Sequence, residues 1–173
     1  MDSNPKIASI WEYLISASKE DIRNLPDLET GQKVTDFNLS NAERWLIGFC
    51  INPGSSLPKV TASKRNAWPR HKQYILENID KIRHWKVLNQ DYSTLPNTDA
   101  TYFVDPPYQA AGKYYYGYKD LNFQKLGEWC KSRSGQVIVC ENQGADWLPF
   151  VFLSEHRGSI QLNTEVIWTN ERR

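Results

Sequence analysis

The stretch Ala100–Tyr118, ATYFVDPPYQAAGKYYYGY, decides how the C-terminal half of this chain is read. An apolar run, ATYFV, meets an acidic residue and then two prolines. Each proline lacks an N–H and has a fixed φ, so the chain cannot stay in a β-ladder beyond Asp105. The run is therefore a strand that stops at Asp105-Pro106-Pro107-Tyr108. Around it the residue pattern predicts a strand WKVLNQ (85–90) and a helix LNFQKLGEWCKS (121–132), with Leu121, Leu126 and Trp129 on one side. QVIVCEN (136–142) reads as a strand apolar enough to be buried on both faces. LPFVFL (148–153) and TEVIWT (164–169) read as two more, suited to antiparallel pairing at the sheet edge. A strand, helix, strand order implies an α/β domain with a mainly parallel sheet. Ligands of such sheets sit at the carboxyl ends of the strands, which sets Asp91, Asp105 and Glu141 on one rim.

The N-terminal half reads as helices. Asn4-Pro5 opens one with Ile7, Ile10, Trp11 and Leu14 on one face. Ser18 and Asp21 cap a second that ends near Pro26. Ser40 with Glu43 three residues on is a capping-box pattern, followed by Trp45, Leu46, Phe49 and Cys50. NPGSSLP (52–58) is a loop, and a further helix spans Pro69 to His84 with Tyr74, Ile75, Ile79 and Ile82 facing inward. At 173 residues the whole fits one domain. No apolar run approaches the roughly 18 residues that a membrane helix needs. MDSNPK at the N-terminus has neither the basic flank nor the apolar core of a signal peptide. Three cysteines, Cys50, Cys130 and Cys140, are an odd number without metal-ligand spacing. That pattern points to a reduced, cytoplasmic compartment and to no metal. His71, His84 and His156 add no ligand spacing.

A net charge of +1 conceals a pattern. Residues 1–58 carry five basic and eight acidic side chains, and residues 87–173 carry eight and ten. Residues 59–86 carry eight basic (Lys59, Lys64, Arg65, Arg70, Lys72, Lys81, Arg83, Lys86) and two acidic, a net of +6. One basic block in an otherwise slightly acidic chain is the footprint of a polyanion, and equally of a solvated helix face. Lys64, Arg65, Arg70 and Lys72, with the neighbouring Trp68, are the candidates for contact with a nucleic acid. Most of them suit phosphates, and one or two suit base edges.

The turn after the strand has a chemistry of its own. The Asp105 carboxylate and the Pro106 carbonyl can each accept one N–H of an exocyclic amino group. Tyr108 can lie against the ring that carries it. Accepting both hydrogens draws the nitrogen lone pair out of conjugation and makes a weak nucleophile stronger. The plainer alternative is a turn that merely ends a strand.

Asp-Pro-Pro-Tyr in this position resembles motif IV of the DNA amino-methyltransferases that use S-adenosylmethionine, in the form associated with adenine N6. DSNPKIASIWEYLI (2–15) resembles the segment after that family's second strand, and VLNQDYSTLP (87–96) the segment that contacts the cofactor's adenine. GQVIVCENQGADWLPF (135–150) and TEVIWTN (164–170) resemble the C-terminal part of Dam-like phage enzymes. The resemblance implies a single, partial methyltransferase domain with an incomplete Rossmann-like fold, its DNA-contacting segment at about 53–86. It makes Asp105, Pro106, Pro107 and Tyr108 catalytic. Asp91 and Tyr92 become contacts to the adenine of S-adenosylmethionine, and Asp2 a contact to its ribose. Tyr114, Tyr115 and Tyr116 either wall the base pocket, though not all three can touch a base, or pack the loop after the tetrad, and Glu141 is a mostly structural residue. The substrate implied is an adenine swung out of duplex DNA in a bacterial or phage-infected cell. One departure is large: no two glycines here are separated by a single residue, whereas the family carries an F-x-G-x-G cofactor loop on its first strand. The chain therefore reads as the C-terminal two-thirds of such an enzyme. It would be an N-terminally truncated copy, half of a split enzyme, or an inactive remnant that still binds DNA.

Overall fold

In the computed structural model the first helix starts where Asn4-Pro5 places it. Asn4 accepts the Lys6 N–H at 3.0 Å, and Pro5, with no N–H to leave unsatisfied, opens α1 (Pro5–Ser16). α2 (Lys19–Asn24) begins on a reciprocal capping box between Ser18 and Asp21, and α3 (Asn41–Cys50) on one between Ser40 and Glu43. The structure describes residues 1–52, 57–109, 121–157 and 162–170. It divides the chain, which its length alone reads as one domain, into two compact units, Met1–Asp91 and Tyr92–Arg173. Among the described residues no helix is long and apolar enough to cross a membrane.

The first unit is helical. Ile10 and Leu14 of α1, Ile22 of α2 and Ile47 of α3 share one apolar cluster with Trp68 and Ile79. Burial of each such side chain stabilises the fold by roughly 1.5–3 kcal/mol. Gly48 lets the chain at Pro58 and Lys59 pass against α3. The Lys59 N–H donates to the Gly48 carbonyl at 2.9 Å, and a Cβ at position 48 would lie 2.7 Å from the Lys59 carbonyl oxygen. Trp11, predicted on the inner face of α1, is instead 37% exposed and lies against Trp85, ring centroids 5.6 Å apart. The last helix, α4, spans Trp68–Asn78 and then tightens into a 3₁₀ turn, Ile79–Ile82, rather than running as one helix to His84. Ile75, Ile79 and Ile82 pack inward as their spacing requires, but Tyr74 is 67% exposed. Arg83 closes the far end of α1 by donating to the carbonyls of Leu14 (3.2 Å) and Ile15 (2.7 Å), a cation placed at a helix C-terminus.

Among the described residues the second unit is a four-stranded sheet with one α-helix. Its strands are β1 (Tyr102–Val104), β2 (Val137–Asn142), β3 (Val151–Arg157) and β4 (Leu162–Thr169), in the order β1-β2-β4-β3. β1 and β2 are parallel, joined through α5 (Phe123–Lys131). The other two pairs, β2 with β4 and β4 with β3, are antiparallel. The fold is thus mixed α/β, and the expectation of a mainly parallel sheet is corrected. β3 and β4 are too close in sequence for a crossover, so they must pair antiparallel, and β4 enters between β2 and β3 running against both. WKVLNQ does not form a strand of this sheet. Within the first unit, the carbonyl of its Leu88 accepts the Asp2 N–H at 3.1 Å.

The core of this unit lies under one face of the sheet. Leu126 and Cys130 of α5 pack with Val137, Val139, Trp147, Leu148 and Trp168. The expectation that β2 is buried on both faces is corrected as well. Val137, Val139 and Glu141 are buried, while Ile138, Cys140 and Asn142 are half-buried. With α5 on one face, the period-2 alternation of a one-sided sheet prevails over the apolar run. Val151, Phe152 and Leu153 are all exposed on β3, at the sheet edge.

Candidate active site

β1 is short because its sequence permits nothing longer. The Tyr102 N–H donates to the Gln136 carbonyl at 2.8 Å, the ladder continues through Val104, and Asp105-Pro106-Pro107-Tyr108 leaves it in irregular conformation. Tyr102 and Val104 turn toward the core, while Phe103, 66% exposed, turns away. Asp105 stays exposed at the carboxyl end of the strand, and Pro106, Pro107 and Tyr108 are half-buried. The Tyr108 hydroxyl donates to the Asp105 carboxylate. Partial desolvation by the surrounding protein raises the Asp105 pKa above the usual carboxylate range, the Tyr108 bond opposes that shift, and the charge of Glu165 adds to it. Cys140 stands near both carboxylates, and its thiol is raised first by burial and then by Asp105 and Glu165. A crowded carboxylate is a more basic acceptor than one in open water.

Beneath this turn lies a group that the sequence presents as mostly structural. Glu141, at the end of β2, is fully buried. Its Oε1 accepts the backbone N–H of Gln109 at 2.7 Å and the indole N–H of Trp147 at 3.0 Å, and its Oε2 accepts the N–H of Asn142 at 2.7 Å. A buried carboxylate is tolerable only when its lone pairs are used, and three donors use them. Gln109 is tied a second time. Its Nε2 donates to Asp146 Oδ1 at 3.0 Å while its Oε1 accepts the Asp146 N–H at 3.1 Å. A sequence signal for Glu141 exists: one acidic residue inside the apolar run VIVCEN, aligned by period 2 with Val137 and Val139.

The residues assigned to the cofactor are placed as follows. Asp2 is anchored: its Oδ1 accepts the Asn4 N–H at 2.7 Å, and its carbonyl accepts from Asn89 Nδ2 at 2.9 Å. Asp91 is exposed at the end of the first unit. Tyr92 opens the second, half-buried, its ring edge-on to Trp129 at 5.4 Å. Tyr114, Tyr115 and Tyr116 lie outside the described residues. Cys50 and Cys130 are buried, and burial pushes both thiols up to about 11, which makes them apolar packing groups rather than nucleophiles.

The structure sorts the DNA-contact candidates. Lys64, Arg65 and Arg70 are exposed. Trp68 is not available to DNA: it is 0% exposed in the first core, its indole N–H donating to the Pro26 carbonyl at 2.9 Å. Lys72 is likewise withdrawn. Its ammonium donates to the Leu25 carbonyl at 2.6 Å and pairs with Asp27 at 3.3 Å, leaving the side chain 12% exposed. Both corrections have one cause, which is that these residues lie on the side of α4 that meets the turn after α2. Compared with models of known protein families and with curated proteins, the chain matches none.

Proposed function

We propose that this chain carries the methyl-accepting half of a DNA adenine N6-methyltransferase site. The observation that carries the reading is the Asp105–Tyr108 turn at the carboxyl end of a parallel strand. There a carboxylate of raised basicity, a proline carbonyl and a half-buried ring occur within four residues. Asp105 and the Pro106 carbonyl accept the two N–H groups of the adenine amino group and orient its lone pair outward. Tyr108 supports the base, which leaves the duplex at a cost of a few kcal/mol. Positioning and polarisation of the amino nitrogen are the main contributions of these residues to the reaction. The position of β1 at one edge of the sheet agrees with a Rossmann-like sheet in which a further strand lies beside it.

S-adenosylmethionine would supply the electrophilic methyl group. The family resemblance assigns Asp91, Tyr92 and Asp2 to its adenosine end, and within the first unit the Asp2 carboxylate already accepts the Asn4 N–H at 2.7 Å. Lys64, Arg65 and Arg70 would track the DNA phosphates.

The test is transfer of a labelled methyl group from S-adenosylmethionine to adenine-containing duplex DNA, by the natural sequence and by Asp105→Ala. Transfer that depends on Asp105, with DNA affinity unchanged in the variant, is the expected result. DNA binding with no transfer and no cofactor binding would leave a non-catalytic DNA-binding protein instead. Transfer undiminished in Asp105→Ala would refute the assignment.

A further inference from the structure

We propose that Glu141 is the positioning residue of the Asp105–Tyr108 turn, acting through Gln109 as a clamp that joins the chain after β1 to the chain after β2. Its catalytic consequence rests on the methyltransferase reading, and its structural content does not. The turn contains two prolines, which cannot hold it through N–H donors of their own. The next backbone N–H after Tyr108 is that of Gln109, and it ends on the buried Glu141 at 2.7 Å. The same carboxylate oxygen receives Trp147, a member of the second core, so the turn is referenced to the core and not to a neighbouring loop. The reciprocal pair between Gln109 and Asp146 fixes the Gln109 side chain as well. Tyr108 thus stands between two anchored points, the β1 ladder before it and the Gln109 clamp after it. Both anchors set where its hydroxyl meets Asp105.

The experiment uses the full chain in three forms: unaltered, Glu141→Gln and Gln109→Ala. Glu141→Gln keeps one acceptor oxygen but turns an N–H toward a backbone donor. Gln109→Ala leaves the buried carboxylate and the backbone N–H at position 109 in place and removes the Asp146 pair, which keeps the test open if Glu141→Gln folds poorly. Hydrogen exchange at the backbone amide of position 109 and NMR titration of the Asp105 carboxyl are the readouts. Exchange at position 109 should quicken in Glu141→Gln, because the N–H there then meets at best a neutral amide oxygen, about half as strong an acceptor as the carboxylate. The Asp105 pKa should rise in both variants as the Tyr108 bond loosens. Removing the Glu141 charge alone would move it downward, so the sign separates a positioning effect from a charge effect. In methyl transfer the variants should fall by up to about 10²-fold in kcat with little change in KM for DNA, the effect of a small misplacement. An Asp105 titration unchanged in both variants while the amide at position 109 opens would overturn the proposal. A chain that transfers no methyl group in any form defeats the methyltransferase reading, yet the exchange and titration results still decide whether Glu141 positions the turn.

Discussion

At Asp105 two influences on one carboxyl oppose each other. Desolvation, helped by Glu165, raises its pKa, and the Tyr108 hydroxyl lowers it. Tyr108→Phe should therefore raise the Asp105 pKa further, as read by titration of the carboxyl carbon in NMR. An unchanged value would mean that the hydroxyl does not serve as donor. Because the folded pKa is raised, folding favours the protonated acid, and ionised Asp105 opposes folding. The penalty is absent below the ordinary carboxylate pKa and complete above the raised one, so stability falls as pH climbs through the window between them. Asp105→Asn should accordingly raise Tm at about pH 7 and change it little at about pH 3, below the ordinary carboxylate value. An equal gain at both values would show that the effect is not titration. For methyl transfer, Tyr108→Ala should be more damaging than Tyr108→Phe, since stacking needs the ring and is worth roughly 1–3 kcal/mol per base.

At the scale of elements, α4 shows why a basic helix cannot be read as a uniform contact surface. An α-helix advances about 100° per residue, so Tyr74 stands about 140° around the axis from Ile79, outside the inner stripe. Trp68, Ile75, Ile79 and Ile82 make up that stripe, and Lys72 is drawn to the carbonyl at the end of α2. Trp68→Ala should lower stability by about 3–5 kcal/mol, as for other large-to-small core changes, with unfolding midpoints in urea as the measure. The basic residues at the surface make a separate prediction. Replacing Lys64, Arg65 and Arg70 together with Ala should reduce the log–log salt dependence of DNA binding by about 0.9 for each phosphate no longer neutralised. A slope identical to that of the unaltered protein would return the block to a solvated helix face.

For the molecule as a whole, stability is divided between two cores, a helical one in Met1–Asp91 and a sheet-and-helix one in Tyr92–Arg173. The second carries a liability. Among the described residues β3 forms one edge of its sheet, with Val151, Phe152 and Leu153 exposed at 62%, 65% and 45%, and an apolar edge strand invites pairing between chains. Phe152→Lys should reduce concentration-dependent association in sedimentation velocity without lowering Tm. A variant that associates as strongly as the unaltered chain would place the contact elsewhere.

Local chemistry is legible in the sequence wherever the deciding interaction spans a few residues. The capping boxes of Ser18 and Ser40, the Asn4-Pro5 helix start and the end of β1 at Asp105-Pro106 all depend on neighbours in the chain, and all stand where the residue types put them. The α/β character follows for the same reason, from local period and length. What needed tertiary structure was every choice made by a distant partner. Which face of α4 is buried was decided by the chain around Pro26, and the direction of β4 by its insertion between β2 and β3. The role of Glu141 was decided by Gln109, 32 residues away. A hydrogen bond across that distance leaves no periodic trace in a single sequence, because the donor is a backbone N–H that every residue but proline possesses.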